Sequence, residues 1–166
     1  MGTLAVFLCF AGSLLATIPQ LSARAELLPL QDAAAYKTYA NARFNYSISY
    51  PANLLRPQGE AENGDGQVFS AKDGSAEMRV YGRYNVNDQT LSSAYADLVR
   101  EWGASVNYKV MKGNWFVVSA LTNGKIRYQK TILHGDVFKT FQIEYDAKRR
   151  DTYDAVTSRV SKSFVG

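Results

Sequence analysis

Three turn signals, Gly113-Asn114, Asn123-Gly124 and His134-Gly135-Asp136, follow one another at intervals of about ten residues and constrain this chain more than any other feature. The runs they separate are SVNYKVMK, WFVVSALT, KIRYQKTILH and VFKTFQIEYD, all rich in β-branched and aromatic residues. Strands joined this tightly run antiparallel. Asn123-Gly124 is the strongest of the hairpin signals. WFVVSALT is apolar on both faces, which predicts a place at the centre of the sheet. In VFKTFQIEYD, Val137, Phe141, Ile143 and Tyr145 point inward.

The first half of the chain reads the same way. FNYSISYP alternates, with Phe44, Tyr46, Ile48 and Tyr50 on one face, and Pro51 stops it. NGDGQVFSAKDGSAE has the look of a calcium loop, but with Gly66 at position six the first ligand position holds Ala61 and the twelfth holds Lys72. A bidentate glutamate is needed there. The stretch therefore turns the chain. Asn63-Gly64 and Asp65-Gly66 make a loop, QVFSA a strand and Asp73-Gly74 a type I′ turn into the return strand EMRVYGRY. That strand sets Met78, Val80 and Tyr84 on one face and Arg79, Tyr81 and Arg83 on the other.

Two segments change period. In NDQTLSSAYADLVREWG, Leu91, Ala94, Tyr95, Leu98 and Trp102 form one helical stripe, with Asp88 or Thr90 to cap it and Gly103 to end it. DTYDAVTSRVSKSFV carries a second stripe, Tyr153, Val156, Val160 and Phe164, with Asp151 at the N-cap. The predicted class is α+β: an antiparallel sheet of six to seven strands with helices packed on it.

Residues 1–25 are set apart. Their one charged side chain is Arg24, the apolar run is short for a membrane span, and Ala23-Arg24-Ala25 is a small-residue cleavage site. They read as a signal peptide of an exported bacterial protein, with retention as an anchor the alternative. The expected compartment is the periplasm or the medium, with no stable membrane insertion after cleavage. Residues 26–41 read as a tether with a short helix over 32–39, and 42–166 as a single domain. Cleavage removes Cys9, the only cysteine, so neither a disulfide nor a lipid thiol is expected. The formal charge of +4 falls by one with Arg24, too small and interspersed a balance for nucleic acid. Lys148-Arg149-Arg150 reads as a solvated loop.

FNYSISYP, GNWFVVSALTNGKIRYQKTIL and YDAVTSRVSKSF, in this order, resemble the superfamily of the photosystem II extrinsic protein PsbP, which includes the DcrB-like bacterial envelope proteins. The resemblance covers residues 42–165. It implies an antiparallel sheet sandwiched by helices, and a binding or assembly role rather than an enzymatic one. The shared residues are core and turn positions, so no functional residue is carried over. Nor is the photosystem role, because the leader is not a long bipartite one.

Catalytic parts are few. There is one histidine, His134, at a strand end, and no G-x-S-x-G, G-x-G-x-x-G or Walker sequence. Counting excludes a zinc site built from several His or Cys ligands. Glu60, Glu62, Asp65 and Asp73 remain as carboxylates for a hydrolase acting on envelope material, if a pair stands about 5–10 Å apart. A carrier of a small apolar ligand is the third reading, and would need a cavity of roughly 300–1,000 Å³. The one constellation pointing to recognition is Arg79, Tyr81, Arg83, Lys109 and Arg127, with Gln129, on the outward strand faces. Guanidinium forks match carboxylates and phosphates, and tyrosine adds flat contact area. The expectation is a binding or assembly module of the bacterial envelope, without cofactor, that meets a protein or an anionic envelope component there. Most of the eleven tyrosines fall on core faces.

Overall fold

The computed structural model describes residues 36–166. The leader, and the tether as far as residue 35, lie outside the described residues. The strands are β1 (Tyr36–Asn41), β2 (Tyr46–Pro51), β3 (Leu55–Glu60), β4 (Gly66–Ala71), β5 (Ala76–Tyr84), β6 (Val106–Lys112), β7 (Trp115–Thr122), β8 (Lys125–His134) and β9 (Val137–Asp146); the helices are α1 (Leu91–Trp102) and α2 (Arg150–Ser163). Seven strands form one antiparallel sheet in the order β3-β4-β5-β9-β8-β7-β6, and β1 pairs β2 separately. The fold is α+β, as the turn signals predict.

The hairpins explain the order. Asn123 and Gly124 both take positive φ, 51° and 74°, as a type I′ turn requires, and Thr122 pairs Lys125 across them. Gly113 and Gly135, with φ of 58° and 55°, open the other two tight turns. This meander starts at the far edge and returns until β9 lies against β5, in register from Ala76↔Tyr145 to Tyr84↔Val137. Helix α1 carries the chain across the sheet from β5 to that edge. It starts where expected: Thr90 Oγ1 accepts from the Ser93 N–H at 3.0 Å, and Gly103 closes the helix at φ 53°.

The two helices cover diagonal halves of the sheet. On one face α1 packs Leu98 and Trp102 against Phe116, Val118 and Ala120 of β7. On the other, α2 places Tyr153, Val156 and Val160, with Phe164 just beyond its end, in a core with Phe69, Met78, Val80, Phe141 and Ile143. The β1–β2 hairpin covers the β4–β5 side of that core with Tyr46, Ile48 and Tyr50. Covering the remaining quarters would take further elements, so β5, β9 and β8 stay partly open beside α1, and β6 and β7 beside α2.

Several expectations are corrected. Residues 36–41 form β1, not the end of a helix; the outer edge of β2 needs a hydrogen-bonding partner, and pairing from Tyr36↔Pro51 to Asn41↔Tyr46 overrides the alanine-rich local preference. β3 is an extra strand. Its Pro57 and Gly59 disguise it, and both sit where an edge strand tolerates them, with a register shift between Pro57 and Glu60. β7 lies next to the edge and β9 is central; β7 is apolar on both faces because α1 covers one of them. Asp73 keeps negative φ and only Gly74 is left-handed, with its N–H on the Ala71 carbonyl at 3.1 Å, so the turn is not type I′. Asp151 is inside α2, because a 3-10 turn over Ala147–Arg149 moves the helix start back; Lys148, Arg149 and Arg150 belong to that turn and the first residue of the helix. Tyr84 is 53% exposed at the end of β5, resting on Phe44 rather than in the core.

Candidate functional site

Register places the predicted recognition residues on one face. Opposed residues in an antiparallel pair point the same way, so the row Arg79, Gln142, Gln129, Val118, Lys109 crosses β5, β9, β8, β7 and β6 on the α1 side. The next rows bring Tyr81, Thr140 and Thr131 together, and Glu77, Glu144 and Arg127. Arg79, Tyr81, Arg83 and Arg127 therefore converge on the open quarter beside α1. Lys109 does not. It lies on the opposite edge strand, and α1 packs over β6 and β7 between it and the others.

The quarter is a groove in two joined parts of about 420 and 250 Å³, with Trp102, Arg127 and Gln142 shared by both. Its floor is polar and largely buried. Gln142 Nε2 donates to Gln129 Oε1 at 2.6 Å, Gln129 Nε2 to Thr131 Oγ1 at 2.9 Å, and Thr131 and Thr140 hydroxyls lie 3.1 Å apart. Tyr81 stands beside Thr140 across the β5–β9 pair, and burial raises its phenol above the ordinary range despite Arg83 and Arg79 nearby. Buried amides and hydroxyls that satisfy one another hold a defined arrangement, because any broken link leaves an unpaired polar group.

The rim carries both signs of charge. Arg79 pairs with Glu77 on its own strand, while Lys125 and Arg127 lie 3.4 and 3.3 Å from the two oxygens of Glu144. Arg127 stacks on the Trp102 ring at 4.8 Å, and Arg83 on Phe138 at 4.3 Å while donating to Gln89 Oε1 at 3.1 Å. Gln89 in turn donates to Asp97 of α1 at 2.8 Å. Arg127 thus lies over an aromatic ring and beside a carboxylate, Arg83 over a ring and beside an amide oxygen, and Arg79 beside a carboxylate. Such a surface suits a partner with alternating charges better than a polyanion.

Three of the four candidate carboxylates, Glu60, Glu62 and Asp65, share the short β3–β4 connection, and Asp73 stands apart. Glu60 accepts from Tyr39 Oη at 2.7 Å and Asn41 Nδ2 at 3.0 Å, and Asp65 Oδ2 from Asn63 Nδ2 at 2.7 Å, both in the β3–β4 loop region. Glu62 is exposed in that loop. Asp73 is beyond the opposite end of β4, roughly 20 Å away at the strand rise. The Ser75 hydroxyl and N–H hold its carboxyl below the usual range. His134 is exposed at the β8–β9 turn. Among the described residues no three His, Cys, Asp or Glu side chains converge as a metal site.

Sequence reasoning missed Gln142, Thr140, Thr131, Trp102 and the two glutamates. The signal was present: Phe138, Thr140, Gln142 and Glu144 occupy the strand phase opposite Phe141 and Ile143. Only the β5–β9 register shows that they stand beside Arg79 and Tyr81.

No family model and no curated protein matches the chain. The solution structure of cyanobacterial PsbP, CyanoP from Synechocystis sp. PCC 6803, superimposes with a TM-score of 0.62 over 80% of this chain and 92% of that one, at 14% identity. The fold is PsbP-like. A crystal structure from Bacteroides thetaiotaomicron is also similar, with a TM-score of 0.51 and 11% identity, over 80% of this chain and 48% of that one. At these identities the likeness concerns the fold and transfers no site residue. In this PsbP-like domain no helix of the described residues is long and apolar enough to cross a membrane.

Proposed function

We propose that this chain is an exported binding or assembly module of the bacterial envelope that works by surface complementarity rather than by catalysis. A protein partner docks in the groove beside α1. The observation that carries this reading is the groove itself: a buried floor of mutually bonded Gln129, Gln142, Thr131 and Thr140 under a rim where Arg79 and Arg127 alternate with Glu77 and Glu144. Arginines already ordered on aromatic rings lose little freedom when they bind, and interfaces favour such residues. The PsbP-like fold, shared with cyanobacterial PsbP, is compatible with it in a coarser way.

The test uses the protein on a resin with an extract of its own cell envelope, at low and at high salt, beside a variant with Arg79→Ser, Arg83→Ser and Arg127→Ser. The expected result is a protein held by the wild type at low salt, released at high salt and absent from the variant, whose circular dichroism is unchanged. Equal capture by both proteins overturns the assignment of the groove.

A further inference from the structure

The other open quarter of the sheet is a different kind of place. Between α2 and the β6–β7–β8 side of the sheet runs a cleft of about 590 Å³, within the range of small-molecule sites. One wall is a cross-strand row, Tyr108, Ser119 and Tyr128, from three adjacent strands. The other is a stripe of α2 at helical spacing: Asp154, Ser158 and Ser161. A helix side facing a sheet is ordinarily apolar. Here it carries hydroxyls, and the two walls meet at the base through Tyr128 and Ser161 with the cleft open above them.

Hydrogen-bonding capacity in the cleft is only partly used. Tyr128 Oη and Ser161 Oγ lie 2.7 Å apart across its floor, and Tyr145 Oη donates to Asp154 Oδ1 at 2.6 Å. Thr157 lines the cleft and is 5% exposed, yet its Oγ1 has no hydrogen bond of normal geometry and only faces the Tyr145 hydroxyl. Buried hydroxyls rarely go unpaired. Burial pushes the Tyr128 and Tyr145 phenols up, so both stay neutral and serve as donors or acceptors. The Tyr108 ring, 56% exposed at the mouth, offers a flat apolar surface.

These features select a ligand class. An apolar molecule would cover Ser158 and the unused acceptor capacity of Ser119, Tyr128 and Ser161 without offering partners, at a cost for each. A strong anion would meet the Asp154 carboxylate; of the two cations that line the cleft, Arg150 is already bonded to Asp154 at 3.4 Å, which leaves Lys162 alone to balance it. A polyhydroxylated molecule satisfies every condition. Its hydroxyls exchange hydrogen bonds with Ser and Tyr hydroxyls, its exposed C–H face lies on Tyr108, and Asp154 can accept from two adjacent hydroxyls. We infer that the cleft between α2 and the β6–β8 wall is a saccharide site, sized for a sugar unit of an envelope glycan. It is separate from the groove beside α1, being on the opposite face of the sheet.

The experiment is an NMR titration of the isotope-labelled protein with glucose, N-acetylglucosamine and their β-linked tetrasaccharides. The expected result is a saturable shift of amides around Tyr108, Ser119, Ser158 and Ser161 with at least one of them. Tyr108→Ala, an exposed change that leaves the fold intact, should weaken it about tenfold. Tyr128→Phe, which keeps the ring and removes the hydroxyl, should weaken it several-fold. The variant lacking Arg79, Arg83 and Arg127 should bind the sugar as the wild type does, which separates this site from the partner groove. No saturable shift with any of the sugars, shifts centred on Arg79 and Arg127, or binding unchanged in both tyrosine variants overturns the inference.

Discussion

Gly82, third from the end of β5 and paired with Lys139 of β9, faces Phe44 at a distance no other residue permits. A Cβ added there would stand 2.3 Å from Phe44 Cγ, 2.5 Å from its Cβ and 2.7 Å from its Cδ2. These atoms are close to the Phe44 backbone, which is itself tied down by the bond from its N–H to Asn41 Oδ1 at 2.9 Å. Rotating the ring therefore does not relieve the clash. In Gly82→Ala the ring must leave a site where it is only 5% exposed and lose its contact with Tyr84 at 5.1 Å. Exposing a phenylalanine costs about 1.5–3 kcal/mol and losing an aromatic pair about 0.5–1.5, while alanine recovers roughly 0.5–1 from glycine's strand penalty. The net expectation is a loss of about 2–3 kcal/mol, or roughly 10 °C in Tm for a domain of this size. The assay is urea unfolding followed by tryptophan fluorescence, for both single variants and for Gly82→Ala with Phe44→Ala. Phe44→Ala alone should cost about 3–4 kcal/mol. In the Gly82→Ala background it should cost at least about 1 kcal/mol less, because the alanine methyl then occupies space the ring has vacated. Additivity within about 0.5 kcal/mol would refute the reasoning, since it would mean the ring and the added methyl never compete.

Three further outcomes follow from the same geometry. Thr90→Ala removes the cap of α1 and should cost about 1 kcal/mol, with Thr90→Ser recovering most of it; thermal melts decide this. Asn123→Ala should destabilise the β7–β8 hairpin by about 1 kcal/mol and Asn123→Gly should not, because residue 123 has φ 51°; denaturant midpoints of the two variants give the comparison. Burial first, then neighbouring acidic and phenolic groups, raise Tyr46, and burial and Asp154 raise Tyr145, from an ordinary value of 10.0. Above that pH the unfolded chain releases phenolic protons that the folded chain keeps, so stability falls as pH rises, by up to about 1.4 kcal/mol per pH unit for each phenol held protonated. Burial lowers Lys130 and Lys139, which acts in the opposite direction below their ordinary 10.5, so the decisive comparison is Tyr46→Phe and Tyr145→Phe, each of which should flatten the alkaline fall in unfolding free energy measured from pH 9 to about 12.

The parts of this molecule legible in its sequence are those governed by neighbours along the chain. The β6–β9 meander follows from two-residue turns whose φ values glycine and asparagine supply, and both helices follow from their stripes and, for α1, its Thr90 cap. Elements whose stability comes from a distant partner were harder to read. β1 looks helical until β2 is placed beside it, and β3 looks like a loop until β4 takes up its hydrogen bonds. The candidate groove was half legible. Alternation alone assigned Arg79, Tyr81, Arg83 and Arg127 to outward faces, but it assigned Lys109 there equally well, and α1 then separated it from the rest.

Composition, turn chemistry and periodicity by themselves determined an antiparallel α+β sheet with two amphipathic helices, since backbone sterics and burial of alternate side chains act over a few residues. The tertiary structure alone decided which strands became neighbours and which quarters of the sheet the helices left open. That choice depends on long-range pairing, with β9 returning to β5 across α1, and no local pattern records it. The groove and the cleft occupy those two open quarters, so both sites come from residues far apart in the chain, brought side by side only by strand order and register.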